Sequence, residues 1–322
     1  MVKIHARFCL HAGLVMETNI LYNRADFKRF DRGDCSGVLV IYSSGIQEGA
    51  HMEWGTVSMA SMLGMIFSLV VSIGVPVVLL IVIYKKTRAK ISSFFIGCGI
   101  FVGFALILEQ ILHTVVLTVA GTVIQSNVYL YGLYGGFAAA LFEETGRFIA
   151  MKYCMKKNLD RGNALMYGAG HGGAEAILIM GLTGISNLIT SIMINSGTMQ
   201  LNMAALPNEL QETTFQQLTA LWQLPAWQFY MGGVERLSAI VLQIGFSVLM
   251  YTAVKTGQKK YLIGAYLAHF AVDFLTVVFA SIIPIWALEL ALIVIAAALG
   301  FYAAKLYRDD QKLQPADAAE QS

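Results

Sequence analysis

Seven apolar stretches, each long enough to cross a bilayer, follow one another between residues 59 and 304, and they constrain this chain more than any other feature. About 20 helical residues at about 1.5 Å each span a hydrocarbon core of roughly 30 Å. Inside that core every backbone N–H and C=O must be satisfied within the protein, which leaves helices as the economical solution for stretches of this length. The stretches run roughly 59–84, 92–119, 128–151, 163–194, 227–254, 261–283 and 285–304. The expected fold is therefore all-α, a polytopic membrane helix bundle of about seven transmembrane helices. The fourth stretch is long enough to be tilted or broken. With 57% hydrophobic and only 13% charged residues, the chain lies outside the soluble globular range.

The cationic residues orient the bundle. Fourteen of the 22 Lys and Arg fall at 85–90, 152–161, 255–260 and 305–312, segments that alternate to one side. The opposite connections, around 120–127, 195–226 and 283–286, have none. By the positive-inside rule the first side is cytoplasmic, so the N-terminus lies outside and the C-terminus inside. The expected location is the cell membrane, as a multi-pass protein of a bacterial inner or plasma membrane. No basic patch remains once topology is accounted for, so the lipid bilayer is an expected partner and nucleic acid is not. Cys9, Cys35, Cys98 and Cys154 show neither CxxC spacing nor a disulfide pattern, and Cys98 and Cys154 read as packing residues. Residues 208–222 read as an amphipathic helix on the outer surface, capped by Asn208, with Leu210, Phe215, Leu218, Leu221 and Trp222 on its apolar side.

Residues 1–51 differ from the rest. They carry six basic residues, no sustained period and no apolar core of a signal peptide. Two readings stand side by side: a disordered N-terminal extension, or a stretch outside the working protein, which then starts at Met52. Gln47-Glu48-Gly49 can be encoded by a purine-rich ribosome-binding sequence ahead of that methionine. The expected domains are this extension, a transmembrane catalytic domain over 52–307, and a disordered cytoplasmic tail over 308–322.

Ionisable groups within the apolar stretches mark candidate function, because they are costly there and face protein or a water-filled cavity. Phe142-Glu143-Glu144-Thr145-Gly146-Arg147 places two carboxylates and a guanidinium in the third stretch. Glu144, His171 and His269 each lie about eight residues from the cytoplasmic end of their helices, a common depth of about 12 Å. Glu175 and Asp273 sit four residues beyond the two histidines, on the same helix faces. Arg147 is one turn from both glutamates and pairs with one of them, leaving the other as a base. The glycines around His171 allow close helix packing, a looser backbone beside a cavity, or both. Glu109, His113, Glu235 and Arg236 form a second set towards the outer face, read mainly as an internal clamp in which Glu109 or Glu235 pairs with Arg236.

Two imidazoles and a carboxylate at one level suit the activation of water. In one version His171 and His269 help to hold a zinc ion while a glutamate acts as general base. In the other a glutamate works without metal and the histidines stabilise the oxyanion. Either hydrolyses a peptide bond of a membrane-anchored protein or peptide. The glutamate-only version is preferred. Neither H-E-x-x-H nor a nucleophile elbow is present. A proton-coupled transporter or channel could use the same cluster, though no inverted repeat is visible. A non-catalytic scaffold leaves the common depth without a reason.

Glu143-Glu144-x-x-Arg147, Gly170-His171-Gly172-Gly173-x-Glu175, Gly232-Gly233-x-Glu235-Arg236 and His269-x-x-x-Asp273 resemble the motif series of the YhfC-type membrane peptidases. That group is distantly similar to the CAAX prenyl protease and bacteriocin-processing superfamily and to the PrsW-type proteases. The resemblance covers roughly residues 52–307. It implies an intramembrane protease in which Glu143 or Glu144 is the base and His171 and His269 bind water, oxyanion or metal. Asp273 orients the site, and Arg147, Glu175, Glu235 and Arg236 support it. One residue fewer separates the paired acids from the arginine than in the wider superfamily, so which glutamate faces the cavity stays open.

Overall fold

The computed structural model describes residues 52–310. The expected extension 1–51, with the question of a start at Met52, and residues 311–322 of the expected tail lie outside the described residues. Among the described residues the chain is helical throughout, with no strand. Seven long helices are α1 (Met59–Thr87), α2 (Ile91–Gln125), α3 (Val128–Ile149), α4 (Arg161–Asn195), α7 (Ala226–Thr256), α8 (Lys259–Ala280) and α9 (Ile285–Asp309). Two short ones, α5 (Thr198–Ala204) and α6 (Asn208–Gln223), lie between α4 and α7. All the long helices but α3 are long and apolar enough to cross a membrane. The tyrosines, glycines and ionisable groups of α3 lower its hydropathy, and they are the reason it matters. The protein is a polytopic all-α membrane protein.

The helix ends follow local chemistry. Asn127 caps α3 by accepting from the N–H groups of Tyr129 (2.9 Å) and Leu130 (3.2 Å). Asp160 caps α4 through the N–H of Asn163, at 2.8 Å. Asn163 in turn accepts from Lys90 N and Ser93 Oγ, both at 2.8 Å, and so ties the starts of α2 and α4 together. Beyond Thr87, α1 ends where Arg88 adopts a left-handed φ of 57° and its N–H reaches the carbonyl of Tyr84 (3.0 Å).

The described residues form two compact units, one made of residues 52–63 with Asn187–Ala226, the other of Gly64–Ser186 with residues 227–310. In the smaller unit Phe215 and Trp222 of α6 pack on Trp54, with ring centroids 5.2 and 5.8 Å apart. Asn195 holds Val57 by two backbone hydrogen bonds (2.8 and 2.9 Å). Pro207, not Asn208, is the N-cap of α6 and contributes no side-chain acceptor. The expected cap is thus corrected: proline already fixes the extended φ required there, and Asn208 becomes the first helical residue.

The larger unit holds every candidate site residue singled out above. Helix α7 is its centre: 72% of its most apolar window is buried, against 22–33% for the other spans. Helices α2 and α4 touch backbone to backbone, because a Cβ on Gly170 would stand 2.0 Å from the carbonyl oxygen of Phe94. This approach sets the neighbouring His171 into the interior. Cys98 follows the same seam, its thiol donating to Gly170 O at 3.2 Å, whereas Cys154 is exposed, which corrects its reading as a packing residue. Helices α3 and α8 are joined by Thr145 and Tyr266, whose hydroxyls are 2.8 Å apart.

Wider π-type turns interrupt α2 at Phe101–Glu109, follow α3 at Ala150–Cys154 and break α4 at Ala176–Gly181. The last supplies the expected break in the long fourth stretch. Such turns shift the facing residues and recur at functional sites. Helix α9 runs past the expected limit of 304, and Asp310 is held by Tyr251 and Lys255, both at 2.8 Å. Residues 308–310 close α9, held there by two partners on α7.

Candidate active site

Helix α3 presents Glu143, Glu144 and Arg147 to the interior, and none of the three has any exposed surface. Arg147 Nη1 donates to Glu144 Oε1 at 2.6 Å, and Nη2 stands 3.9 Å from Glu143 Oε2. Glu144 is also met from α8, where His269 Nδ1 donates to the same Oε1 at 2.7 Å. Glu144 is thus held by a guanidinium and an imidazole, the partners that compensate a buried carboxylate.

Glu143 occupies a different position. Its Oε2 receives His171 Nε2 from α4 (3.0 Å) and Gln243 Nε2 from α7 (3.0 Å). His269 Nε2 lies 3.9 Å from the same oxygen. Four helices therefore deliver side chains to one carboxylate oxygen. Asp273, one turn along α8, stands 3.5 Å from His269 Nε2. The histidine rings are fixed by aromatics: His269 is stacked on Phe246 (4.7 Å, 6°), and His171 lies edge-on to Phe101 (5.3 Å). Phe246 also lies under the Arg147 guanidinium, at 5.7 Å.

The donor types suit a metal. His269 commits Nδ1 to Glu144, which leaves Nε2 directed at Glu143 and Asp273, and His171 turns its own Nε2 to Glu143. Two imidazole nitrogens and a carboxylate oxygen are a set that zinc accepts, with the second histidine nitrogen on a carboxylate as the usual orienting contact. The spacing is that of a hydrogen-bonded set: among the described residues no three His, Cys, Asp or Glu side chains stand at metal-holding distance.

A second polar layer adjoins the first. Arg236 Nη1 donates to Glu175 Oε1 at 3.0 Å, and Nη2 donates to Glu235. Gln243 Nε2 also donates to Glu175 Oε2 at 2.8 Å and connects the layers. Glu109 is not among these partners of Arg236. It is 3.1 Å from His113 Nε2, whose Nδ1 is 2.8 Å from the Tyr134 hydroxyl. Of the two expected partners Glu235 is the one that pairs with Arg236, and Glu175 of α4 joins it from across the layer.

Three residues of the cluster escape sequence reasoning. Gln243 carries no charge, although it lies seven residues from Arg236, two turns along the same face of α7. Phe246 is one more aromatic in an apolar helix. Glu289, a lone carboxylate in the apolar α9, had a clear signal; it is 1% exposed, and neither of its oxygens has a hydrogen-bond partner. Beside the site an apolar cavity of about 610 Å³ runs between α3 and α8, bordered by Ala140, Leu141, Tyr266 and Phe270, within a turn of the cluster.

Over 196 residues, 60% of this chain and 75% of the relative, the chain is 36% identical to the membrane protein YhfC of Bacillus subtilis (strain 168). No solved structure matches. The family model described as YhfC intramembrane metalloprotease matches residues 70–294, which include all four motifs and the side chains that meet at Glu143. On that match the chain belongs to the YhfC intramembrane metalloprotease family.

Proposed function

We propose that this protein is an intramembrane endopeptidase that hydrolyses a peptide bond of a membrane-associated protein or peptide, with Glu143 as general base. The observation that carries the reading is the division of labour between the paired acids. Glu144 is taken up by Arg147 (2.6 Å) and His269 (2.7 Å), whereas Glu143 sits between His171 (3.0 Å) and the Nε2 of His269 (3.9 Å).

In this mechanism Glu143 takes a proton from water as the oxygen attacks the scissile carbonyl carbon. His171, and His269 as the imidazolium held between Glu144 and Asp273, donate N–H groups to the oxyanion that forms, a contribution that grows with the charge and so lowers the barrier. Glu143 returns the proton to the departing amide nitrogen as the C–N bond breaks. Glu144 and Asp273 hold His269, and Arg147 holds Glu144. If a metal is bound, His171 and His269 would help to hold it while Glu143 stays free as the base, and it would supply Lewis acidity and a more acidic water. The apolar cavity along α3 and α8, lined by Ala140 and Phe270 within a turn of Glu143 and His269, offers a membrane-embedded peptide an approach.

A proton relay for transport is less well supported. The line from Glu143 to Arg236 passes through Gln243, and an amide and a guanidinium are poor proton carriers compared with the acid and histidine chains of pumps. The test is cleavage of quenched-fluorescent single-span peptides by the purified protein in nanodiscs. Glu143→Gln keeps shape and hydrogen bonding but removes the base, so the rate should fall by about 10² to 10⁴. Undiminished cleavage by that variant would refute the assignment.

A further inference from the structure

Gln243 lies at the junction of the two polar layers, and no other uncharged side chain is so placed among the described contacts. We propose that Gln243 is a positioning residue that fixes the Glu143 carboxylate against His171 and ties it to the Glu175–Arg236 pair, an assignment resting on the hydrolytic role of Glu143.

The amide orientation is fixed by its neighbours. Carboxylates only accept and a guanidinium only donates. Nε2 therefore faces Glu143 Oε2 (3.0 Å) and Glu175 Oε2 (2.8 Å), and Oε1 faces Arg147 Nη2. The flipped amide would set its oxygen against two carboxylates and its NH₂ against a guanidinium. Both N–H groups are used, and the side chain is 4% exposed, too buried for water to replace them.

The residue type follows from charge. A glutamate at 243 would place a third carboxylate between Glu143 and Glu175. A lysine or arginine would pair with Glu143 and compete with its role as base. A neutral group with two donors and one acceptor joins two carboxylates to a guanidinium without altering the charge of either layer. The sequence also makes room for it: a Cβ on Gly172 would lie 2.9 Å from the Cβ of Gln243, so the glycine beside His171 lets the glutamine stem rest on α4.

The role is positional, since Gln243 reaches Glu143, Glu175 and Arg147 and does not itself line the cavity where a peptide would approach. Misplacing a catalytic group by about 1 Å can cost about 10²-fold in rate. Gln243→Met keeps length and removes the three hydrogen bonds, so kcat should fall about 10- to 100-fold on the single-span peptides while KM stays within about twofold. A purely structural glutamine would not produce that split. Added to Glu143→Gln, it should cost little more, since residues acting as one unit are non-additive.

A second readout needs no substrate. The infrared difference between parent and Glu143→Gln isolates the Glu143 carboxylate stretch, and the same difference taken in the Gln243→Met background should show that band shifted. Should Gln243→Met not fold, Gln243→Asn, which retains the amide one methylene back, gives the same two readouts. A band that stays in place, or a kcat within twofold of the parent, would overturn the proposal. Full cleavage by Glu143→Gln, or no cleavage of any peptide by the parent, would instead count against the hydrolytic reading, and the band would still decide the role of Gln243.

Discussion

Arg147 is the side chain whose loss the structure prices most clearly. It has no exposed surface, donates to Glu144 at 2.6 Å and to Gln243, and stands 3.9 Å from Glu143. Arg147→Ala would leave the adjacent glutamates facing each other in a low-dielectric interior, with His269 as the nearest remaining donor to Glu144. Removing one partner of a buried ion pair typically costs about 3–5 kcal/mol. On the scale of about 2–4 °C per kcal/mol for domains approaching this size, the loss is roughly 6–20 °C in Tm. Intrinsic fluorescence of the detergent-purified protein, with gel filtration for aggregation, would measure it. Arg147→Lys keeps one charge but cannot serve both acceptors, and should fall between the two. Arg147→Met with Glu144→Gln removes both charges and should recover much of the loss. An Arg147→Ala protein with the parental Tm, or no recovery in the paired variant, would refute the argument.

Other expectations follow from topology and chemistry. A cysteine reporter at 152–161 should be shielded from an impermeant reagent in intact cells, and one at 200–210 labelled; the reverse pattern would overturn the N-outside orientation. A protein starting at Met52 should insert and cleave like the full chain, and loss of either property would assign residues 1–51 to the working protein. If His171 and His269 help to hold zinc, a strong chelator should abolish cleavage and added zinc restore it, whereas indifference to the chelator would favour Glu143 acting alone.

The candidate cluster is legible in the sequence because depth in a helix is countable. A fixed rise and lysines at the cytoplasmic ends place Glu144, His171 and His269 at one level before any packing is known. The structure brings their helices together, with His269 on Glu144 and His171 on Glu143. Facing is harder to read. Adjacent residues such as Glu143 and Glu144 point about 100° apart, and which one meets which histidine depends on the rotation of α3 against α4 and α8. The second partner of Arg236 is hidden for the same reason: Glu235 beside it is legible, but Glu175 is supplied by another helix. Gln243 was hidden because uncharged amides carry no cost signal in an apolar window until a structure shows what surrounds them. The wider turns at 101–109 and 176–181 leave no composition signature at all.

The most direct test of the central claim is a single-turnover cleavage comparison of the parent, Glu143→Gln, His171→Ala, His269→Ala and the Glu143→Gln/His171→Ala pair in nanodiscs. If one carboxylate and two imidazoles act as a unit, each single variant should lose about 10²-fold or more. The double variant should then be little slower than Glu143→Gln alone. Full activity in all three single variants would show that the chemistry happens elsewhere.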